Sequence, residues 1–260
     1  MPINLVLPIL LSSVLLQGAG GGLIEELDAS ATRTGYFKLL KTPIEVLGER
    51  DADYLNPVLL ATEQIGWRVY VPRKYDPAEP PGVLVFISSI DWGGIPEQWQ
   101  PVMEQENLIW ISASNAGSSA PVQQRMVKAI IAPRAVDRDY QIDMSRIYIA
   151  GFADGGMVAN LVETAEPGLF RGAIYMCGAI FWGEEEPAKL DTMRENRHVF
   201  VRGCFDPKER DIRRVYDQYL EAGIENSKLI NIKTRRRPLP QPAYVESAID
   251  YLDGGELETE

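Results

Sequence analysis

Seven short runs of β-branched and aromatic residues, separated by longer stretches of helical periodicity, constrain this chain more than any other feature. The runs are WRVYV (67–71), VLVFIS (83–88), LIWISA (108–113), RIYIAG (146–151), GAIYMC (172–177), HVFVRG (198–203) and KLINI (228–232). Several are apolar almost throughout, as strands covered on both faces must be. Between them lie PEQWQPVMEQE (96–106), QQRMVKAIIAPRAVDRDY (123–140), GGMVANLVETA (155–165), PKERDIRRVYDQYLEAG (207–223) and PAYVESAIDYLD (242–253). In 207–223, Ile212, Val215, Tyr216, Tyr219 and Leu220 fall on one face, with charges opposite. Pro133 should interrupt the second stretch, because its nitrogen has no hydrogen to donate and its ring meets the preceding turn. The alternation predicts an α/β fold: a mostly parallel sheet, right-handed crossovers and helices on both faces. The expected domain is 63–253. A weakly periodic lead-in at 23–62, with little regular structure, precedes it, and an acidic tail at 254–260 that should fray follows it.

The segment RIYIAGFADGGMVAN (146–160) narrows the chemistry. A buried strand runs into Gly151-Phe152-Ala153-Asp154-Gly155-Gly156 and then directly into a helix. That is the layout of a G-x-S-x-G turn, with alanine in the serine position. The central residue of such a turn adopts a strained backbone conformation, and side chains two positions to either side would collide. Gly151 and Gly155 meet that need around position 153. Centring the turn on Asp154 would offer a carboxylate nucleophile, but Phe152 would then occupy a position that needs a small residue. The nucleophile position is therefore read as Ala153. A generic glycine-rich strand-to-helix turn shares the same short pattern.

From about Trp67 to Leu252 the chain resembles bacterial α/β-hydrolase-fold esterases related to polyhydroxybutyrate depolymerases and feruloyl esterases. The matching landmarks, in the family's order, are YVPRKYDP, LVFISSIDWGG, NLIWISASNAGSS, YQIDMSRIYIAGFADGGMVAN, FRGAIYMCGAIFW, VFVRGCFDPKERDIRRVYDQYLEAG and LPQPAYVESAIDYL. The resemblance implies a catalytic triad with serine at the position of Ala153 and an acid just after VFVRG, at Asp206. The histidine belongs in the loop before the last helix, where KTRRRPLPQP places Arg237. It also implies that the loop after VLVFIS (Ser88, Ser89, Ile90, Asp91 and Trp92) and the backbone N–H of Asp154 form an oxyanion hole. Trp182 is placed to wall a ligand cleft, with simple packing as the alternative. Asp91 and Asp154 bring negative charge near that hole, or else are solvated loop residues.

Two of the three triad positions thus lack their chemistry. Acyl transfer needs an oxygen nucleophile and an imidazole that takes and returns its proton near neutral pH. Alanine has no nucleophilic atom, and arginine, with a pKa above about 12, stays protonated. His198, the one histidine, starts its strand, whereas catalytic groups in such sheets gather at the C-terminal strand ends. It is therefore read as a surface or packing residue. Ser112, Ser114, Ser118 and Ser119 follow a strand end without elbow geometry and are read as turn residues. One histidine and two cysteines do not make a usual zinc set, so neither a metal nor a cofactor is expected. Cys177 and Cys204 each close a strand. Neighbouring parallel strands bring such positions within the Cα separation a disulfide tolerates, so the two are a candidate pair.

The N-terminal residues 1–22 carry no charged side chain, and an apolar stretch from Ile3 to Leu16 leads into Gly18-Ala19-Gly20. That reads as a signal peptide, although without the usual basic n-region. The stretch falls short of the roughly 20 residues a spanning helix needs. Export to the periplasm or exterior is expected, without stable membrane insertion once the signal is removed. A formal net charge of -11 opposes nucleic acid as a partner, and Arg235-Arg236-Arg237 is too short to reverse it. The leading expectation is an esterase homologue inactive as a serine hydrolase, a pseudoenzyme that keeps a cleft for a small ester or carbohydrate-linked ligand. The alternatives are an active carboxylic-ester hydrolase using an unorthodox group such as Asp154, and a structural or protein-interaction module.

Overall fold

The computed structural model describes residues 33–183, 185–203, 209–232 and 239–256. Eight strands form one sheet in the order β1-β2-β4-β3-β5-β6-β7-β8. They are β1 (Gly35–Lys41), β2 (Ile65–Val71), β3 (Gly82–Ile87), β4 (Leu108–Ala113), β5 (Ile147–Phe152), β6 (Gly172–Met176), β7 (Arg197–Arg202) and β8 (Ser227–Asn231). β2 runs antiparallel to both β1 and β4; β4, β3 and β5 to β8 are parallel throughout. The expected mostly parallel sheet is therefore present, and all seven apolar runs are strands.

The helices described are α1 (Pro43–Leu47), α2 (Glu49–Asp53), α3 (Gln100–Gln105), α4 (Val122–Ile130), α5 (Ala132–Asp137), α6 (Asp154–Ala165), α7 (Leu190–Glu195), α8 (Glu209–Glu221) and α9 (Pro242–Leu252). Successive residues of a strand point to opposite faces, and the central strands are buried on both. On one face Leu84, Phe86, Trp110, Tyr148, Ile174 and Val199 pack against Trp99, α3 and α9. Trp99 is fully buried, and its indole N–H donates to the Pro240 carbonyl at 2.9 Å. The other face meets α4, α5, α6 and α8. Pro133 acts as anticipated: α4 ends and α5 begins at Ile131, with proline in the first turn of the second helix.

Two expectations about the ends of the domain are corrected. Residues 35–41, read as lead-in with little regular structure, form the edge strand β1, paired with β2 along its length from Gly35↔Val71 to Lys41↔Ile65. Only Phe37 of that strand is buried, so its hydrophobic alternation is too weak to register as a strand. A capping box then starts α1: Thr42 Oγ1 accepts from the Glu45 N–H at 3.3 Å, and Glu45 Oε2 accepts from the Thr42 N–H at 2.6 Å.

The start of the acidic tail is also more ordered than expected. Gly255 N–H returns to the Asp250 carbonyl at 2.9 Å, and Arg197 Nη1 donates to the carbonyls of Tyr251 and Gly255 at 2.8 and 3.0 Å. Just before it, Asp253 accepts two bonds from Arg146, Nε at 2.7 Å and Nη2 at 2.6 Å, and a third from the Tyr148 hydroxyl. A bidentate guanidinium–carboxylate contact of this kind fixes geometry as well as charge. It ties the end of α9 to the start of β5.

Candidate functional site

The C-terminal end of β5 carries a tight turn with a left-handed residue at its apex. The backbone at Ala153 has φ 56° and ψ −120°, and helix α6 starts at the next residue. A left-handed φ of that kind is costly for a residue with a Cβ and persists only where its surroundings dictate it. They do so here. A methyl group at Gly151 would overlap the Gly155 carbonyl, and one at Gly155 would overlap the Ile87 carbonyl of β3. One at Gly156 would strike the Gly178 carbonyl, and one at Gly178 would strike the carbonyl of Ala153 itself. The Ala153 N–H donates to the Met176 carbonyl at 2.8 Å. Glycines at 151 and 155 thus serve as the sequence motif requires, and the strained residue between them is Ala153 rather than Asp154. Gly178 is a further requirement that the motif does not contain.

Asp154, first in α6, does not stand free. Its Oδ2 pairs with Nη1 of Arg125 on α4 at 2.7 Å, while Arg125 Nη2 donates to the Ser88 carbonyl at 2.9 Å. The Arg125 side chain is 3% exposed and that of Asp154 is 36% exposed. Burial opposes charge on Asp154, but the Arg125 guanidinium, aided by the hydroxyls of Ser118 and Ser89, outweighs it and lowers the carboxyl below its ordinary value. The negative charge beside the turn is thus matched by a buried cation. Arg125 escaped the sequence reading because a lone arginine in an amphipathic helix ordinarily marks the solvated face.

The loop after β3 lies against the turn through hydrogen bonds. Ser89 Oγ donates to the Phe152 carbonyl at 2.5 Å, one residue before Ala153. Ser89 in turn accepts at its carbonyl from the N–H and hydroxyl of Ser118, at 3.0 and 2.9 Å. Asp91 accepts from the Asn115 N–H at its carbonyl, 2.8 Å, and from the Gly117 N–H at Oδ1, 2.9 Å. Its carboxylate is thereby engaged in bracing the 115–117 turn. Trp92 is half-exposed and faces Tyr36 of β1, with ring centroids 6.1 Å apart. Ile90, beside it, is also exposed. The N–H groups of Asp154 and Gly155 open α6 and have no acceptor within the helix, as at any helix start.

On the opposite side, the turn after β6 carries Cys177, Gly178 and Trp182. Cys177 has φ 58° and is disulfide-bonded. Cys204, the sequence's other cysteine, lies outside the described residues, as do Asp206 and Arg237. Trp182 stacks on Phe181 at 4.0 Å between centroids and leans on Tyr219 of α8 at 5.3 Å, leaving the indole partly exposed. His198 is fully buried, as one of the two roles read for it. Among the described residues, no group of three or more His, Cys, Asp or Glu side chains could hold a metal ion. No helix among them is long and apolar enough to cross a membrane.

At the apex, then, main chain suited to a nucleophile holds a methyl group. Nothing at position 153 can attack a carbonyl carbon. Of the positions expected to gather at this edge, Ala153, Ser89 and Asp154 come together directly. Asp91 stands one loop turn away, and Trp92 lies toward β1.

No family model matches the sequence, and no curated protein matches it. Solved structures do. A thermostable esterase aligns with a TM-score of 0.52 at 18% identity, covering 74% of this chain and 59% of its own. An α/β-hydrolase enzyme from the metagenome of Lake Arreo, Spain, aligns with a TM-score of 0.54 at 16% identity, covering 72% of this chain and 77% of its own. Thermogutta terrifontis esterase 2 aligns with a TM-score of 0.52 at 16% identity, covering 75% and 89%. This chain therefore spans well under two thirds of the length of the first of these. Strand order, elbow and structural likeness agree that the chain has the α/β-hydrolase fold that these esterases share.

Proposed function

We propose that this protein is an exported, esterase-like α/β-hydrolase homologue that is silent as a serine hydrolase and uses its cleft to bind a small ester or carbohydrate-linked ligand. One observation carries the reading: the elbow is fully built, with its four glycine contacts and its left-handed apex, yet the apex side chain is a methyl group. Arg237 at the histidine position, implied by the resemblance to depolymerase-like and feruloyl esterases, removes the base as well. Ser89, Asp91, Trp92, Asp154 and Trp182 are the proposed ligand contacts. The resemblance supports them, and for Ser89 and Asp154 so does their place beside Ala153. Asp154 is a poor substitute nucleophile, because its carboxylate is paired with Arg125 and follows the apex rather than occupying it. Export is supported by the apolar, uncharged N-terminal stretch.

The test is a short-chain p-nitrophenyl ester assay beside fluorophosphonate labelling. The wild-type chain is expected to show neither turnover above buffer nor a labelled residue near the elbow. The Ala153→Ser, Arg237→His double variant, run in parallel, is expected to gain fluorophosphonate labelling at position 153. Labelling of the wild-type protein in the 151–156 turn would overturn the reading.

A further inference from the structure

Behind the elbow lies a buried polar cluster that the proposed function does not use. Glu163, on α6 three turns after Ala153, is fully buried. Its Oε1 accepts from Asn196 Nδ2 at 3.2 Å, and its Oε2 has no hydrogen-bond partner. Around it stand Tyr175 from β6, His198 from β7 and Tyr219 from α8, all fully buried. Within 4 Å, the one basic group among the described residues is His198, with Nε2 3.9 Å from Oε1. Along α6 itself, Asn160 sits one turn earlier. Glu166, one turn later, is paired with Lys189 at 2.8 Å. From α7 the Met193 carbonyl reaches His198.

His198 brings no charge. Its Nε2 lies 3.0 Å from the Met193 carbonyl, which can only accept, so Nε2 carries the proton. Nδ1, 3.2 Å from the Tyr175 hydroxyl, then accepts. Burial pulls the imidazole down to about 4, against the raising effect of the Met193 bond. A carboxyl with no cation beside it, one oxygen unpartnered and no water access is far more stable protonated. Burial raises Glu163 to about 8, against the lowering effect of Asn196 and Tyr175.

The cluster is continuous with the wall of the candidate cleft. Asn160 Nδ2 donates to the Tyr219 hydroxyl at 2.6 Å, and Asn160 Oδ1 accepts from the Ile180 N–H at 3.1 Å. The Tyr219 ring touches both His198, at 5.2 Å between centroids, and Trp182, at 5.3 Å. Two residues before Ile180, Gly178 abuts Ala153.

We infer that Glu163 is a proton-operated latch on the 178–182 wall: protonated, it lets α6, β6, β7 and α8 close around it, and ionised, it loosens Tyr219 and Asn160 and so frees Trp182. A carboxylate formed there must gain water or a donor, and either requires the neighbouring side chains to part. That this wall borders a ligand cleft rests on the proposed function; the latch itself does not.

The test is tryptophan fluorescence against pH, without ligand, on the wild-type chain, Glu163→Gln and Trp182→Phe. The wild-type protein is expected to show a reversible emission change centred near about pH 8. Glu163→Gln, which keeps the Asn196 bond but cannot ionise, is expected to lose it, and Trp182→Phe to lose most of its amplitude. An undiminished change in either variant would overturn the latch. Should Glu163→Gln not fold, an infrared titration of the wild-type protein decides. A protonated-carboxyl band that persists past neutral pH and disappears near about pH 8 is the expected result. A band already lost in the ordinary carboxylate range, near about pH 4–5, refutes it.

Discussion

Gly178→Ala is expected to destabilise the protein by about 3 kcal/mol, and Gly155→Ala by a similar amount, at the upper end of what overpacking costs. Each added methyl would overlap a backbone carbonyl, that of Ala153 or of Ile87, not the tip of a pliant side chain. Relief would require the β5 turn to move away from β3 or β6, and those strands are pinned by hydrogen bonds on both sides. Gly168→Ala is the matched control: nothing lies within 4 Å of its would-be methyl, so its effect should stay within about 0.5 kcal/mol. Urea midpoints for the three variants measure the contrast. A loss below about 1 kcal/mol at Gly178 would mean that the turn is softer than its contacts imply. The same measurement bears on the proposed function, because only a rigid turn keeps Ala153 at an apex that a nucleophile could use.

Stability should fall by about 1 kcal/mol between pH 6.5 and 8, because over that window the folded chain holds on average roughly 0.6 proton more than the unfolded chain. Glu163 is responsible. Its folded value, near 8, lies above the ordinary 4.5, so its contribution is complete at low pH and is lost as pH rises through the folded value. His198 has the opposite sign. Its folded value, near 4, lies below the ordinary 6.5, so its contribution is present at high pH and is lost as pH falls. Between about 4.5 and 6.5 the two slopes cancel, one proton against one, and a plateau is expected there. Both side chains are fully buried, so solvent does not screen the effect. Denaturant unfolding across that range checks the profile, and Glu163→Gln should flatten its alkaline limb. A stability that climbs from pH 6.5 to 8 would show that Glu163 is ionised in the folded state.

Much of this architecture was legible in the sequence, for identifiable physical reasons. Strands buried on both faces, such as Val83 to Ile87, leave unbroken apolar runs that few other structures produce. The elbow was legible because a left-handed apex between two carbonyl-packed positions accepts only glycine at 151 and 155. β1 was not, since an edge strand with one buried residue carries almost no alternation. Arg125 and Glu163 were missed for a common reason. Each lies on a helix where charge ordinarily faces water, and only the tertiary structure shows that one holds Asp154 while the other is sealed against His198. Gly178 was missed because its constraint is across the sheet, from Ala153, and not along the chain. Asp206 and Arg237 were named from resemblance and Cys204 from its place at a strand end, and all three fall outside the described residues.

The contact between Arg146, Tyr148 and Asp253 gives the C-terminus a mechanical part in the molecule. The strand that ends at the elbow begins at Arg146's neighbour, so β5 is gripped at its far end by the last helix. Chain removed beyond Glu256 leaves that grip intact, along with the Arg197 bonds to Tyr251 and Gly255. Removal from Asp253 onward strips three hydrogen bonds from the root of the elbow strand at once. Loss of chain back through Asp253 would therefore loosen the root of the elbow strand, some distance from Ala153.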